Sequence, residues 1–234
     1  MVAMGSGRFV YKDDKMRLRE RVKGSGPDRA ELKIFHKLGT VSKETVSELN
    51  HILDTCDRND IGSDNYSITN TIDYENTHGV KKEYYRQLIL QENEDGPTLK
   101  NAKVGQVFKE SEDQYSIWAN KKFDIDSTIS DINRYFKQVF RFRLSETLPH
   151  HSVAWHIDTN TSVMCRGQIC LHENDSLFEF KNREGIHQLF MKPGELWFIN
   201  TGWNHRVVAN NDLRRTAVFS FRFEDLIESK DLYV

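Results

Sequence analysis

Two histidines and one aspartate are the first residues of interest, because their types and spacing suit a metal ion. His156 and Asp158 are one residue apart, in a stretch where Val153, Trp155 and Ile157 alternate with smaller or polar residues. Alternation with a period of two is typical of a half-buried β-strand. In a strand, residues two apart share a face at about 6.6 Å. The side chains of His156 and Asp158 could therefore contact one ion.

A third ligand must come from elsewhere in the chain, and His205 is the best candidate. It follows a strand-like segment at 194–200 and a short turn. Two histidines and one carboxylate form the facial triad of non-haem Fe(II) oxygenases, which leaves coordination positions open. A single histidine is more often a hydrogen-bonded core or surface residue, so the metal site is predicted from the three residues together.

The composition narrows the classes of protein to consider. The chain has 234 residues, with 33 lysines and arginines against 35 aspartates and glutamates, and a formal net charge of −2. This balance lacks the basic excess of nucleic-acid-binding proteins, and no apolar run reaches the length of a membrane span. Cys56, Cys165 and Cys170 form no CxxC pair, which favours a reducing, cytoplasmic setting and a packing role for Cys165 and Cys170.

The elements that must position the ligands change in type along the chain. Residues 1–30 are rich in charge and predict a flexible N-terminal arm. Residues 31–139 predict a helix-rich part that packs on the remainder, and its first residues, 32–38, are compatible with a strand. Within it, apolar residues recur at helical spacing in 42–56 and again in 125–136, which is typical of helices with one buried face.

Local signals refine this N-terminal part. Ser42 is a suitable N-cap for the first helix, and Asp126 or Ser127 for the second. Between the helices, residues 57–80 are polar and predict a long loop that could act as a lid. The segment 83–90 is compatible with either a helix or a strand.

From about residue 140 the pattern changes to short strands separated by turns. Phe140, Phe142 and Leu144 alternate with Arg141 and Arg143. Further strands are predicted over 153–158, 163–171, 177–181, 187–191, 195–200, 205–208 and 216–223. Many short consecutive strands indicate a sandwich or barrel. The prediction is a mostly β fold with flanking helices, a cupin-like double-stranded β-helix (jelly roll), with 140–234 as the catalytic core of a single compact domain.

Several short motifs follow one another in this core: Leu148-Pro149, His156-x-Asp158, Pro193-Gly-Glu-Leu-Trp-Phe198, His205 and Arg215. In this order they resemble the aspartyl/asparaginyl β-hydroxylase family of 2-oxoglutarate-dependent Fe(II) oxygenases, which includes bacterial free-proline hydroxylases. The resemblance covers roughly residues 140–223. It implies a metal triad of His156, Asp158 and His205, with 2-oxoglutarate and O₂ at the open positions of the iron.

The resemblance also implies residues that bind the co-substrate. A dianion such as 2-oxoglutarate needs a cation at its distal carboxylate, and a guanidinium can pair with it bidentately. Arg215, ten residues after His205, is predicted to be this cation. The family often has Arg-x-His after the His-x-Asp motif, and here the matching place reads Arg166-Gly-Gln168. Arg166 and Gln168 are therefore predicted to contact 2-oxoglutarate, although Gln168 departs from the histidine of the pattern.

These expectations give a function of defined class. The chain is expected to hydroxylate an unactivated C–H bond of a small substrate, a free amino acid or a derivative, and to release succinate and CO₂. Halogenase relatives replace the acidic ligand with a small residue, so Asp158 favours hydroxylation. Two alternatives stay open: a non-catalytic jelly-roll binding module, and a cupin metalloenzyme that does not use 2-oxoglutarate. Neither nucleic acid nor a membrane is expected as a partner.

Overall fold

The computed structural model describes residues 2–4, 8–10, 24–56, 84–92, 112–158, 160–174, 177–208 and 211–234. The strands in these residues are β1 (Val2–Met4), β2 (Arg8–Val10), β3 (Phe35–Thr40), β4 (Tyr85–Ile89), β5 (Gln91–Glu92), β6 (Ile117–Trp118), β7 (Phe140–Thr147), β8 (Val153–His156), β9 (Cys165–Cys170), β10 (Phe178–Lys181), β11 (Ile186–Leu189), β12 (Glu195–Ile199), β13 (Asn204–Val207) and β14 (Arg214–Phe221). The helices are α1 (Lys43–Thr55) and α2 (Asp126–Asn133), with 3₁₀ turns at Glu112–Gln114, Phe223–Asp225 and Ser229–Leu232.

Two antiparallel sheets make up the jelly roll. The larger sheet has six strands in the order β3-β12-β9-β14-β7-β4, and the smaller has four in the order β11-β10-β13-β8. Every strand predicted after residue 140 is present, with its ends within two residues of the prediction. The predicted fold class, mostly β with flanking helices and a double-stranded β-helix, is confirmed.

The six-stranded sheet extends beyond the predicted core. Its two edge strands, β3 and β4, come from the part that the sequence predicts to be rich in helices. The ambiguous segment 83–90 forms β4, which pairs with β7. The described chain before residue 140 therefore contributes strands to the same sheet as well as two helices.

One hydrophobic core lies between the helices and the outer face of the six-stranded sheet. Leu49 of α1 and Ile132 of α2 are almost fully buried in it. Phe142 and Phe219 project from the neighbouring strands β7 and β14 and stack with ring centroids 5.3 Å apart. Because these large side chains are fully buried, they fix which face of β7 and β14 points outward. The alternate residues of both strands must point toward the smaller sheet.

The start of α1 is stabilised by two side chains. Ser42 Oγ accepts a hydrogen bond from the backbone N–H of Thr45 at 3.2 Å, so the predicted N-cap is confirmed. Asp131 of α2 accepts hydrogen bonds from the backbone N–H of Ser42 at 2.6 Å and the hydroxyl of Thr45 at 2.8 Å. A residue of α2 thus completes the first turn of α1.

The start of α2 is capped in return from α1. Its N-cap position is Ile125, which makes no side-chain capping bond, so the prediction of Asp126 or Ser127 as cap is wrong. The carboxylate of Glu48 accepts hydrogen bonds from the backbone N–H groups of Ser127 at 3.2 Å and Thr128 at 2.9 Å. A carboxylate at this helix end also interacts favourably with the helix dipole.

A second, smaller hydrophobic cluster fills part of the space between the sheets. It contains Phe178, Phe180 and Val207 from the four-stranded sheet. Phe35 and Trp197 of the six-stranded sheet pack against it, with Phe35 5.8 Å from Phe180 and 6.2 Å from Trp197 between ring centroids. The cluster closes one side of the barrel interior.

The remaining predictions about the scaffold concern the cysteines, the lid and the arm. Cys165 and Cys170 are buried as predicted, and burial raises the pKa of the Cys165 thiol to about 12. The predicted lid at 57–80 lies outside the described residues, as do residues 11–23 of the predicted arm. No helix in the described part of the chain is long and apolar enough to cross a membrane.

Candidate metal centre

Three side chains that could ligate a metal converge between the two sheets. His156 ends β8 and lies directly opposite His205 on β13, with ring centroids 4.2 Å apart. Asp158 follows β8, and its Oδ1 is 3.7 Å from His156 Nε2. One ligand atom from each of the three residues lies within 4.8 Å of the other two. The structure thus brings together the three residues that the sequence predicts as ligands.

Both imidazoles are oriented by backbone carbonyl groups. Nδ1 of His156 is 2.8 Å from the carbonyl oxygen of Ala154, and Nδ1 of His205 is 2.9 Å from that of Trp203. A neutral imidazole that donates through Nδ1–H keeps a lone pair on Nε2, the usual arrangement of a metal-bound histidine. Burial, together with the nearby His156, lowers the pKa of His205 to about 3. His205 is therefore neutral at physiological pH and able to bind a metal.

Asp158 is positioned by its own backbone and by one guanidinium. Its N–H donates to the carbonyl oxygen of Thr201 at 3.0 Å, which ties it to the turn after β12. Its Oδ2 lies 3.5 Å from Nε of Arg166, at the start of β9. Since Oδ1 is the oxygen nearer His156, the guanidinium of Arg166 faces the other carboxylate oxygen and favours one orientation of the ligand.

Arg166 is itself held by a buried carboxylate. Its Nη2 donates to Glu112 Oε1 at 2.8 Å, and its Nη1 contacts the Ser220 hydroxyl. Arg141 also donates to Glu112 Oε1, at 2.9 Å. Burial acts to raise the pKa of Glu112, but Arg166 and Arg141 hold it well below its usual range. Glu112 is therefore ionised and fixes two guanidinium groups beside the triad.

Arg215 does not lie where the sequence prediction places it. Its Nε is 2.8 Å from Glu146 Oε2 and its Nη2 is 2.8 Å from Asp54 Oδ1 at the end of α1. Glu146 also pairs with Arg86 at 3.0 Å. All of these contacts are on the outer, helix-covered face of the sheet. The assignment of Arg215 as the cation for 2-oxoglutarate is corrected on this ground.

The preceding residue, Arg214, points into the barrel instead. Its side chain is buried, and its Cζ lies 5.7 Å from the centre of the Phe178 ring. That ring in turn stacks on His205, with centroids 5.7 Å apart. Nη1 of Arg214 is 3.5 Å from the hydroxyl of Thr216, the next residue on the same face. Arg214 is thus the arginine of this pair that shares an interior with the triad.

The inner face of the six-stranded sheet has further buried polar residues, of which we call four the polar wall: Gln87, Arg143, Thr147 and Gln168. Cross-strand pairing relates them, since Arg143 and Gln168 are both partners of Val218 on β14. Each has at least one buried side-chain nitrogen or oxygen that makes no hydrogen bond within the described part of the chain, and both amide atoms of Gln168 are of this kind. Buried polar groups are normally hydrogen-bonded, so the polar wall is suited to a polar ligand.

Sequence reasoning missed Arg214, Arg143, Arg141 and Glu112. The sequence carried a usable signal for the three arginines. In their strands, arginine alternates with phenylalanine or shares a face with small polar residues. Such a pattern indicates a strand that is buried on both sides and has one polar face. Glu112 had no such signal, since it lies 54 residues before Arg166 and outside any predicted element. Arg166 and Gln168 do lie near the triad and on the polar wall, and their contact with 2-oxoglutarate stays a prediction.

No family model matches the sequence, and no curated protein sequence matches it. Among solved structures, a prolyl hydroxylase from Trichoplax adhaerens, in complex with a hypoxia inducible factor peptide fragment, is 12% identical with a TM-score of 0.48 and covers 91% of this chain and 96% of its own. A Pseudomonas putida prolyl-4-hydroxylase is 11% identical with a TM-score of 0.43, covering 81% and 92%. HygX from Streptomyces hygroscopicus, with nickel, 2-oxoglutarate and hygromycin B bound, is 8% identical with a TM-score of 0.43, covering 88% and 86%. Conclusions about function therefore rest on the residues of the site itself.

Proposed function

We propose that the chain is an Fe(II)- and 2-oxoglutarate-dependent dioxygenase that hydroxylates a C–H bond of a small, amino-acid-like substrate. The observation that supports it is the convergence of His156, Asp158 and His205 between the sheets of a jelly roll, with ligand atoms within 4.8 Å of one another. Two imidazoles and a carboxylate are ligands that suit Fe(II), and three such ligands would leave coordination positions open. When bound, iron, 2-oxoglutarate and O₂ supply the oxidising chemistry, with succinate and CO₂ as co-products.

The chain itself supplies ligand orientation and a dry environment. The carbonyl groups of Ala154 and Trp203 hold the two imidazoles through Nδ1, which would leave both Nε2 atoms available to a metal. The rings of Phe178 and Phe180 stack near His205, with centroids 5.7 Å and 5.9 Å away. Exclusion of water by such rings strengthens electrostatic interactions within the site.

Arg214 is the residue best placed to bind the distal carboxylate of 2-oxoglutarate. It is buried and reaches the interior beside Phe178, which contacts the ligand His205. A guanidinium keeps its charge and can form two parallel hydrogen bonds to a carboxylate. Thr216, on the same face of β14, adds a hydroxyl next to that guanidinium. Arg214 and Thr216 together form a site suited to a carboxylate. They therefore favour an enzyme that uses the dicarboxylate 2-oxoglutarate over a cupin metalloenzyme that does not.

Membership of the aspartyl/asparaginyl β-hydroxylase family belongs to the same proposal. The His-x-Asp motif and the distal His205 support it. The anchoring arginine, however, is nine residues after His205 rather than ten, and the family's second histidine is Gln168 here. A free amino acid or a derivative is the proposed substrate.

Anaerobic reconstitution tests the proposal directly. Addition of Fe(II) and then 2-oxoglutarate to the full chain should produce the visible charge-transfer band of a chelated keto acid. Free amino acids and peptides are then screened for stimulated succinate release in air. The His205→Ala variant should bind little iron and show no band. If the parent chain binds no Fe(II), or binds it and gives no band with 2-oxoglutarate, the proposal is wrong.

A further inference from the structure

Three buried guanidinium groups lie together at the triad end of the barrel, and one carboxylate accompanies them. Arg141, Arg143 and Arg166 have exposed fractions of 8%, 7% and 4%. Glu112 forms ion pairs with Arg141 and Arg166. Within the described residues, the three arginines and Glu112 therefore have a net charge of +2 when the triad residue Asp158 is not counted. Buried charges are unfavourable unless they are paired.

Arg143 is the member of this cluster that forms no ion pair within 4.0 Å among the described residues, although the charge of Glu112 also acts on it. The only hydrogen bond of its guanidinium there is a long one, 3.5 Å from Nη1 to the carbonyl oxygen of Arg141. Its Nε is buried and makes no hydrogen bond within the same part of the chain. Burial, together with the charges of Arg141 and Arg166, lowers the pKa of Arg143 to about 9. The guanidinium is therefore charged at physiological pH in surroundings that suit an anion.

The position of Arg143 separates it from the proposed anchor of 2-oxoglutarate. Arg143 pairs with Val218, four residues beyond Arg214 on β14. At the rise of a β-strand, four residues correspond to about 13 Å. Arg143 also lies in the same cross-strand row as Gln168, whose amide atoms make no hydrogen bonds within the described residues. The Arg143 and Gln168 end of the polar wall thus provides a second polar subsite, while Thr147 at its other end lies opposite Arg214.

The backbone next to Arg143 is also unusual. Arg141 has a φ of 51°, in the left-handed region that non-glycine residues rarely adopt. It lies where β7 has an extra residue, since Val218 pairs with Arg143 but Ser220 pairs with Phe140. The bulge brings the side chain of Arg141 to Glu112 and so to the same side as Arg143. Bulges of this kind often redirect side chains next to functional sites.

We infer that the substrate carries a carboxylate and that Arg143, assisted by Gln168, binds it. This inference rests on the proposed function and specifies its substrate class. A carboxylate on the substrate would give Arg143 the bidentate partner that a guanidinium favours. The amide of Gln168, in the same row, could orient the same group. Neutral sugars, amides and hydrocarbons would give Arg143 no carboxylate to pair with, so we expect them to bind more weakly than a carboxylate of similar size.

Matched pairs of small molecules test the inference on the full chain. The anaerobic complex with Fe(II) and 2-oxoglutarate is titrated with acetate, succinate and free L-amino acids, and separately with the carboxamide of each. A change in the visible charge-transfer band reports binding near the metal without turnover. At least one carboxylate should bind, and its carboxamide should bind about a hundredfold more weakly, as for the loss of a buried charge pair.

Arg143→Gln and Arg206→Gln form the matched variant pair. Arg206 lies on the outer face of the smaller sheet, where it pairs with Glu179. Arg143→Gln should lose the discrimination between each acid and its carboxamide, while the dissociation constant of 2-oxoglutarate stays within about twofold of that of the parent. Arg206→Gln should behave as the parent does. Loss of 2-oxoglutarate binding in Arg143→Gln would instead make Arg143 its anchor and would overturn the inference.

The melting temperature of ligand-free variants distinguishes a ligand-binding Arg143 from one that stabilises the fold, because its removal should lower the Tm only in the second case. Without ligands, Arg143→Met removes a buried charge that forms no close ion pair among the described residues and retains an apolar side chain, so its Tm should equal or exceed that of the parent. A clear fall in Tm would mean that Arg143 stabilises the fold and would contradict the inference. If the charge-transfer band forms but no carboxylate of the panel perturbs it, the inference and the amino-acid-like substrate are wrong, while the dependence on Fe(II) and 2-oxoglutarate stands. If the band never forms, the inference and the proposed function are both wrong.

Discussion

Arg214 and Arg215 are adjacent in the chain, yet their side chains lie on opposite faces of β14 and contact different layers of the protein. Arg214 contacts Phe178 inside the barrel. Arg215 pairs with Glu146 and Asp54 on the side covered by α1. Because side chains alternate along a strand, the two arginines must have different roles, and the difference can be measured.

Substitution of Arg214 should weaken 2-oxoglutarate binding selectively. Loss of one member of a buried charge pair costs about 3–5 kcal/mol, which is about a hundredfold to several thousandfold in affinity. Arg214→Gln should therefore raise the dissociation constant of 2-oxoglutarate by about that factor in an anaerobic Fe(II) titration, with iron binding unchanged. Arg214→Lys should recover only part, since an ammonium cannot form the bidentate pair. Parent-like affinity in Arg214→Gln would remove it as the anchor.

Substitution of Arg215 should instead lower the stability of the fold. Its partner Glu146 is buried and is shared with Arg86. Arg215→Ala should reduce the free energy of unfolding by about 1.5–3 kcal/mol, as for a lost hydrogen bond to a charged group, because Glu146 keeps Arg86 as a partner, while the folded protein binds 2-oxoglutarate normally. Urea unfolding measures the change. Asp54→Asn is the control, because the carboxylate of Asp54 is 60% exposed and exposed pairs contribute about 0–1 kcal/mol. An equal loss in both variants would contradict the prediction.

Each of the three triad residues should be needed for metal binding. His205→Ala removes the ligand that is most deeply buried and should abolish stoichiometric Fe(II) binding, measured by metal analysis after gel filtration. His51→Ala is the matched control, since His51 lies on the exposed side of α1. We expect the control to retain iron and Tm. Full iron content in His205→Ala would refute the assignment of the triad.

The reciprocal caps of the helices should make stability depend on pH in the acid range. Burial acts to raise the pKa of Asp131, but hydrogen bonds from Ser42 and Thr45 outweigh it and lower the pKa below 3.8. A carboxyl whose pKa is lower in the folded state stabilises the fold above its unfolded pKa and loses that effect as pH falls through the folded pKa. Asp131→Asn should thus cost about 1–3 kcal/mol at neutral pH.

The difference between Asp131→Asn and the parent should shrink as pH falls below 3.8. Urea unfolding at several pH values measures it. Asp124→Asn serves as the control because Asp124 is exposed, and it should match the parent at every pH. A difference that stays constant down to strongly acidic pH would show that the charge of Asp131 has no part in the caps.

The sequence predicted the strands, and the nearness of His156 and Asp158, because both depend on local periodicity. The nearness of His205 depends on how the strands pair, and its role as a ligand stays a prediction. His156 and Asp158 share a face wherever that stretch is a strand. The sequence did not distinguish Arg214 from Arg215 for two reasons. The strand was predicted to begin at residue 216, so neither arginine was assigned to a face of it. Both faces of β14 are also buried, so hydrophobicity alone does not show which face points into the barrel. The useful signal was the pair of polar residues Thr216 and Ser220, which lie on the same face of β14 as Arg214. Glu112 could not be predicted, since its role depends on contacts across the fold.

The bulge in β7 also affects how this protein could change over evolution. Phe142 faces the helices and stacks on Phe219, while Arg141 and Arg143 on either side of it face the barrel. In β7, the residue that packs in the hydrophobic core thus alternates with the residues that line the proposed substrate pocket. Substitutions at Arg143 can change the charge of the pocket without altering the packing of Phe142, whereas Arg141 is held by its ion pair with Glu112. A mutant library restricted to position 143 should therefore yield folded proteins at high frequency and include variants that accept substrates of different charge.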